Sequence, residues 1–205
     1  MLGPVGACAR ARPRAVLVET RPMSEHAAPV LVALVGPSGA GKTTLAAALV
    51  RRWSAAGLRV GYVKHASHGF EMDRPGKDTD RLAGAGAAGV AVSGPSGTAY
   101  LERTASRDPV ALVARFFPTA DVVVVEGFRE AGLPSVVLTG DAEPAAAVAE
   151  ARGAVLAVAA PAHRLEAARS CAREAAVLDR DDIVGIAAHL EAALRERGDL
   201  PRAPS

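Results

Sequence analysis

A glycine-rich segment early in the chain has the residue types and spacing of a phosphate-binding loop. Residues 36–43 read GPSGAGKT and match the pattern G-x-x-x-x-G-K-[ST]. Glycines permit backbone conformations in which several N–H groups point at phosphate oxygens, and the lysine places an ammonium group beside the terminal phosphates. The threonine hydroxyl is a ligand that Mg²⁺ accepts. We therefore predict that phosphates contact Gly36, Pro37, Ser38, Gly39, Ala40, Gly41, Lys42, Thr43 and Thr44.

A candidate metal ligand follows a run of four valines. Residues 121–127 read DVVVVEG, so Glu126 ends a strand that is apolar enough to be buried on both faces. Ligands bind at the carboxyl edge of open α/β sheets, and we expect Glu126 to hold Mg²⁺ there together with Thr43. The N–H of Gly127 would then face a phosphate. The structural alternative is a carboxylate that only ends a strand.

A dense polar block begins directly after the predicted strand 60–63. Residues 64–80 read KHASHGFEMDRPGKDTD in a chain that is otherwise rich in alanine. Lysines in such a loop would neutralise phosphate charge, aspartates would hold Mg²⁺ through water or orient an attacking water, and histidines would contact a phosphate or a metal. Each residue also has a structural alternative as a helix cap, a solvated charge or a hydrogen-bonded histidine. The candidates are Lys64, His65, His68, Asp73, Lys77 and Asp78; the two aspartates join Lys42 and Glu126 as the predicted catalytic set.

Lysine is scarce in this chain, and its positions are informative. The sequence has 24 Lys and Arg residues, of which only Lys42, Lys64 and Lys77 are lysine. Lys42 lies in the phosphate loop, and Lys64 and Lys77 lie in the polar block. A compact ammonium fits between phosphate oxygens where a broad guanidinium does not. We expect a Lys→Arg substitution to be tolerated at none of the three.

Length and composition exclude several classes of protein. A chain of 205 residues suits one domain, and its net charge of +2 argues against a general nucleic-acid or membrane-surface binder. Aromatic residues make up 3% of the chain, and two cysteines cannot form a disulfide framework. No apolar run reaches the roughly 20 residues that span a bilayer. We expect a cytoplasmic protein without nucleic-acid or membrane partners.

Short β-branched runs alternate with alanine- and leucine-rich stretches, and this alternation predicts an α/β fold. Because most of the runs are continuously apolar, we expect a mostly parallel sheet with helices on both faces and one hairpin at residues 94–97. Together with the phosphate-loop motif after the first strand, this predicts a three-layer P-loop nucleotide-hydrolase fold. One domain would cover 29–197, between disordered tails at 1–28, where Met23 is an alternative start, and 198–205. The predicted strands are 30–35, 60–63, 89–92, 98–101, 121–125, 136–138 and 155–158, and the predicted helices are 43–56, 79–85, 110–116, 145–151, 163–176 and 182–197.

The order of the motifs resembles one known family. After the phosphate loop come V-K-H at 63–65, H-G-F at 68–70 with Asp73, G-K-D-T at 76–79 and V-E-G-F at 125–128. This series resembles the MobB family, the adapter proteins of molybdopterin-guanine dinucleotide biosynthesis. The likeness covers about residues 30–140, a little over half of the chain.

The resemblance implies a GTP-binding homodimer that uses Mg²⁺ and hydrolyses GTP weakly. It also implies association with the molybdopterin guanylyltransferase, with molybdopterin itself as a candidate ligand. By this likeness residues 36–44 bind the nucleotide phosphates, and Thr43 and Glu126 serve the metal. The block from Lys64 to Asp78 would then shape the region near the γ-phosphate or a bound pterin.

The chain also departs from the usual GTPase pattern. It contains no N-K-x-D motif, and the loop after the predicted strand 155–158 reads AAPA, without a carboxylate to read guanine. A basic residue is often expected after the E-G-F series in this family. Here it is Arg129, whose guanidinium keeps the positive charge but changes its geometry. Two other classes stay open. One is a small-molecule kinase with Arg103, Arg107 and Arg115 in a lid, and the other is a metal-delivery GTPase with His65 and His68 as ligands.

Overall fold

The computed structural model describes residues 28–66, 69, 77–95, 97–102 and 106–199 of the chain. Residues 1–27 and 200–205, which make up most of the two tails predicted to be disordered, lie outside the described residues. His68 and Asp73 also lie outside them. The predictions for those segments stay predictions.

The order of strands and helices follows the predicted alternation. None of the helices in the described ranges is long and apolar enough to cross a lipid bilayer. The strands are β1 Val30–Val35, β2 Val60–Lys64, β3 Gly89–Gly94, β4 Gly97–Glu102, β5 Val122–Glu126, β6 Ser135–Leu138, β7 Val155–Ala160 and β8 Ala176–Asp179. The helices are α1 Lys42–Ala55, α2 Asp78–Gly84, α3 Pro109–Phe116, α4 Pro144–Ala149, α5 Leu165–Cys171 and α6 Ile183–Glu196, and short 3₁₀ turns cover Arg129–Ala131 and Ala162–Arg164.

The main sheet places the chemically interesting loops at one edge. Its six described strands run parallel in the order β2-β5-β1-β6-β7-β8. In this register Glu126 of β5 lies opposite Leu34 of β1 on one side and Lys64 of β2 on the other. Because parallel strands all end at the same edge, the loops after β1, β2 and β5 meet there.

Helices cover both faces of the sheet, as predicted. Helices α1 and α6 pack on one face, where Trp53 is fully buried with Leu49 and Leu190. Helices α3, α4 and α5 pack on the other face. The valines of β5 alternate between these two cores, and all four are 0% exposed. Burial on both faces explains why this strand is apolar without interruption.

Two details differ from the sequence prediction. The predicted hairpin forms from β3 and β4, but it makes a separate antiparallel pair, so the main sheet is wholly parallel. The predicted helix 163–176 is too long, because α5 ends at Cys171 and Arg173 turns the chain with a φ of 53°. The chain then enters β8, which pairs with β7 and which the sequence analysis did not predict.

Candidate functional site

The loop between β1 and α1 has the conformation of a phosphate cradle. Gly36, Gly39 and Gly41 have φ angles of 143°, 77° and 95°, which side chains rarely tolerate. At Gly36 an added Cβ would lie 2.0 Å from the carbonyl oxygen of Leu138, so only glycine fits against β6. Because α1 begins at Lys42, the unpaired N–H groups of its first turn are available to an anion.

Lys42 is held by the loop that precedes it. Its Nζ donates to the carbonyl oxygens of Gly36 at 3.0 Å and Pro37 at 2.6 Å. Burial lowers the pKa of Lys42; Glu126 raises it, and Lys64 and Arg129 lower it further, so the net pKa lies below the ordinary value. An anion bound among these cations would offset their repulsion and favour the charged ammonium.

Glu126 is a buried carboxylate with three side-chain partners. It is 5% exposed, and its Oε2 accepts hydrogen bonds from the Thr43 hydroxyl at 3.0 Å and the Tyr62 hydroxyl at 2.6 Å. The Nζ of Lys64 lies 2.9 Å from its Oε1. Burial alone would raise the pKa of Glu126, but hydrogen bonds from Tyr62, Lys64 and Thr43 outweigh it and hold the pKa below its usual range. The group is therefore ionised at neutral pH.

Tyr62 is a site residue that the sequence analysis missed. It lies on β2 two residues before Lys64, so both side chains leave the same face of the strand, towards Glu126. Burial, followed by its hydrogen bond to Glu126 and the charge of that carboxylate, raises the pKa of Tyr62 well above its ordinary value. The hydroxyl therefore stays protonated and donates to the carboxylate. The spacing of Tyr62 and Lys64 was a usable signal.

The residues present fit Mg²⁺. Thr43 and Glu126 offer a hydroxyl and a carboxylate oxygen only 3.0 Å apart, at the junction of the phosphate loop and β5. Mg²⁺ in nucleotide sites takes one or two protein oxygens and completes its shell with phosphate oxygens and water. Lys64 contacts the same carboxylate, so Mg²⁺ and this ammonium would compete for Glu126.

A cavity of about 980 Å³ opens beside the loop at the carboxyl edge of the sheet. Several cationic side chains line it together with a smaller set of carboxylates. Phe128, with a left-handed φ of 49°, leads the chain into the 3₁₀ turn that carries one of these cations. Cations concentrated around a loop of free N–H groups suit a polyphosphate. The cations are Lys42, Lys64, Arg107 and Arg129, and the carboxylates are Glu126, Asp108 and Glu130.

Other predicted residues lie in or near this cavity with different roles. His65 and Gly127 both line it. His65 also packs its ring against Phe128, with centroids 5.1 Å apart. The Gly127 N–H, which we expected to face a phosphate, donates a long hydrogen bond of 3.4 Å to the Leu34 carbonyl oxygen. Gly127 has a φ of 86°, and a side chain there would meet the Cβ of His65.

The end of the predicted polar block lies apart from the cavity wall. Lys77 is the N-cap residue of α2 and Asp78 is its first residue, so neither Asp78 nor Thr79 is the cap. Both Lys77 and Asp78 are exposed, and neither is among the described residues that line the cavity. Of the predicted catalytic set, the structure brings Lys42 and Glu126 together. Asp73 lies outside the described residues.

The alternative functions find little support in the described residues. Arg115, which the kinase alternative placed in a lid, pairs with Glu102 through two hydrogen bonds of 2.7 and 2.5 Å, so it ties α3 to β4. Arg107 lines the cavity, whereas Arg103 lies outside the described residues. In the part of the chain that the structure describes, no group of three or more His, Cys, Asp and Glu residues is arranged to hold a metal ion.

A parallel sheet, a glycine-rich loop after β1 and a hydroxyl–carboxylate pair at its edge define an α/β protein of the P-loop nucleotide-binding type. The family model of molybdopterin guanine dinucleotide synthesis protein B matches residues 31–161. The chain therefore belongs to the MobB family.

Named relatives and solved structures agree with this assignment. The chain is 36% identical over 115 residues to the molybdopterin-guanine dinucleotide biosynthesis adapter protein of Escherichia coli. The aligned segment covers 54% of this chain and 66% of that protein. It is 33% identical to the adapter protein of Haemophilus influenzae, over 53% of this chain and 62% of that protein. The matched segment thus spans just under two thirds of these relatives.

The fold is shared over a longer stretch. A crystal structure of Bacillus subtilis MobB aligns with a TM-score of 0.64 and 26% identity, covering 84% of this chain and 99% of that chain. A crystal structure of molybdopterin-guanine biosynthesis protein B aligns with a TM-score of 0.64 and 25% identity, covering 80% of this chain and all of the other.

Proposed function

We propose that the chain is a GTP-binding adapter of molybdenum cofactor biosynthesis. It assists the guanylyltransferase that converts molybdopterin to molybdopterin guanine dinucleotide. The observation that carries this proposal is the meeting of Lys42, Thr43 and Glu126 at a cation-lined cavity, in a fold of the MobB family. The curated relatives, which are named as adapter proteins of this biosynthesis, support the choice of pathway.

In this proposal the phosphate loop and its lysine bind the β- and γ-phosphates of GTP. Thr43 and Glu126 hold Mg²⁺, which neutralises phosphate charge and polarises the terminal phosphoryl group. Lys64 is 48% exposed at its side chain and lines the cavity, so it can turn from Glu126 to a phosphate oxygen once metal shares the carboxylate. Asp73 and Asp78 are the proposed groups for holding or orienting water, and Asp78 would have to reach the site from its exposed position at the start of α2, outside the described cavity wall.

Hydrolysis is proposed to be slow and secondary to binding. In the described part of the cavity wall, Asp108 already caps α3 by accepting from the Val110 N–H at 2.9 Å. Glu130 is exposed and pairs with Arg152. Neither is therefore free to act as a fixed base towards an attacking water. A site that binds phosphates well but orients water poorly suits an adapter better than an efficient GTPase.

The remaining assignments follow from the family. We propose that the protein works as a cytoplasmic homodimer, that its macromolecular partner is the molybdopterin guanylyltransferase, and that molybdopterin can also bind. The test is capture of the purified guanylyltransferase on the immobilised protein, with and without GTP and Mg²⁺. We expect GTP to increase the captured enzyme severalfold, and Lys42→Ala to abolish that increase. Capture that is absent under both conditions would contradict the adapter role.

A further inference from the structure

A second, smaller cavity of about 240 Å³ lies against the phosphate loop. Gly39 and Thr44 line it from the loop and the start of α1, and Arg180 and Asp181 line it from the segment that follows β8. Leu138 and Ile183 provide apolar walls. This cavity shares the loop with the phosphate-binding cavity but none of the residues around Glu126.

We infer that the nucleobase binds in this second cavity and that Asp181 selects guanine. The inference rests on the proposed function, because it takes nucleotide binding at the phosphate loop as given. Its first support is the order of the strands. The loop follows β1, which has β5 and β2 on one side and β6, β7 and β8 on the other.

The two ends of a nucleotide must leave the loop in opposite directions. Glu126 and Lys64 end β5 and β2, so the metal and the terminal phosphate belong on that side of β1. The nucleoside is then directed towards β6 and β8, where the second cavity lies. A purine ring has two apolar faces and a polar edge, so it suits a slot with apolar walls and a charged rim.

Asp181 is the one of three neighbouring aspartates whose carboxylate is not used by the backbone. Asp179 accepts from the Asp181 N–H at 3.0 Å. Asp182 caps α6 by accepting from the Gly185 N–H at 2.8 Å. The side chain of Asp181 is 81% exposed, and its carboxylate forms a long ion pair of 3.7 Å with Arg180. Its carboxylate is therefore available to a ligand in the cavity.

A carboxylate at this position distinguishes guanine from adenine. The Watson–Crick edge of guanine presents N1–H and N2–H₂ donors, which two carboxylate oxygens accept together, whereas adenine presents an acceptor at N1. Arg180 lines the same cavity and offers a planar guanidinium that stacks on ring faces. The segment after the predicted strand 155–158, where base reading was first expected, offers no carboxylate, because Ala159 and Ala160 are the buried end of β7 and Pro161 is buried after them.

The test replaces the Asp181 carboxylate with an amide and compares the binding of GTP with that of xanthosine triphosphate. Xanthine carries a carbonyl where guanine carries N2–H₂, so an asparagine amide at position 181 matches xanthine and opposes guanine. We expect Asp181→Asn to weaken GTP binding tenfold or more and to raise the affinity for xanthosine triphosphate by a similar factor. Inorganic triphosphate should bind the variant and the wild type equally, because it contacts only the phosphate loop.

Asp141→Asn is the matched control. Asp141 is an exposed aspartate after β6 at the same edge, and it does not line the cavity. A changed GTP-to-xanthosine-triphosphate ratio in Asp141→Asn, or an unchanged ratio in Asp181→Asn, would overturn the inference while leaving the proposed function intact. Failure of the wild-type protein to bind GTP would instead contradict the proposed function.

Discussion

Thr43 and Glu126 are 83 residues apart in the sequence, yet the Thr43 hydroxyl donates to the Glu126 carboxylate at 3.0 Å. The contact follows from the parallel pairing of β1 with β5, which brings the ends of both strands to one edge. Neither segment alone is a metal site. The sheet topology brings the two oxygen donors together, and Lys42 of the loop lines the same cavity as this carboxylate.

Glu126→Gln should weaken Mg²⁺ binding more than nucleotide binding. The amide keeps the shape of the carboxylate but loses its charge, and a charge-assisted contact contributes about 1.5–3 kcal/mol. We expect the Mg²⁺ affinity of the nucleotide complex to fall roughly 10- to 150-fold, with a smaller change in GTP binding measured in EDTA. Glu130→Gln, at an exposed carboxylate of the cavity wall, is the control. Equal losses in both assays would point to a folding defect instead.

Tyr62→Phe tests whether Tyr62 positions Glu126. The substitution removes the 2.6 Å hydrogen bond and lets the carboxylate rotate while keeping the ring. A single hydrogen bond contributes about 0.5–1.5 kcal/mol, so Mg²⁺ affinity should drop roughly two- to tenfold. GTP binding in EDTA should stay unchanged, because Tyr62 lies on the metal side of the loop. An effect confined to metal-free binding would refute the positioning role.

Gly36→Ala and Gly39→Ala form an internal comparison within the loop. Gly36 has no room for a Cβ against the Leu138 carbonyl, so its substitution should destabilise the protein by about 3 kcal/mol or more. Gly39 has open space around it and only a left-handed backbone, so alanine there should cost about 1–2 kcal/mol. Urea unfolding measures both free energies, and a reversed order would contradict the close approach of Gly36 to the Leu138 carbonyl.

Glu191 provides a pH-dependent link between α1 and α6. It accepts from Arg52 Nε at 2.6 Å and from Trp53 Nε1 at 3.1 Å. The hydrogen bond from Arg52 lowers the pKa of Glu191; burial opposes it, and the charges of Arg52 and Arg195 and the Trp53 hydrogen bond reinforce it. A depressed pKa contributes stability above the unfolded value of 4.5, and this contribution is lost as the pH falls through the lower folded pKa.

Acid unfolding followed by the fluorescence of Trp53 checks this sign, because Trp53 is the one tryptophan of the sequence. The wild type should begin to lose the stabilisation from Glu191 below about pH 4.5, which is the pKa of this glutamate in the unfolded chain. Glu191→Gln should have a flatter acid limb and a lower stability at neutral pH. An acid limb as steep as that of the wild type would contradict the assignment.

Local sequence patterns predicted most of this fold, because they were tied to burial and to turn chemistry. The apolar run of β1 gave its bounds correctly, since a central parallel strand must be apolar on both faces. The phosphate loop was located by glycines that the backbone requires. Helix α3 begins at Pro109, one residue before the predicted start, and Asp108 is its N-cap.

What the sequence could not show depended on tertiary contacts. The segment after α5 is rich in alanine and looks helical, but pairing with β7 makes Ala176–Asp179 a strand. Missing that strand also hid the loop that carries Asp181. Tyr62 was missed because the register with β5 decides that this face of β2 points to Glu126; the spacing of Tyr62 and Lys64 shows only that the two side chains share a face.

The central claim is that Lys42 binds the phosphates of GTP, and calorimetric titration of GTP in Mg²⁺ buffer tests it most directly. Loss of this charge-assisted contact should cost about 1.5–3 kcal/mol, so Lys42→Ala should bind GTP roughly 10- to 150-fold more weakly than the wild type. Arg51→Ala removes the same charge from an exposed position of α1 and should bind normally. Wild-type affinity in the Lys42→Ala protein would contradict the phosphate-loop assignment and the function built on it.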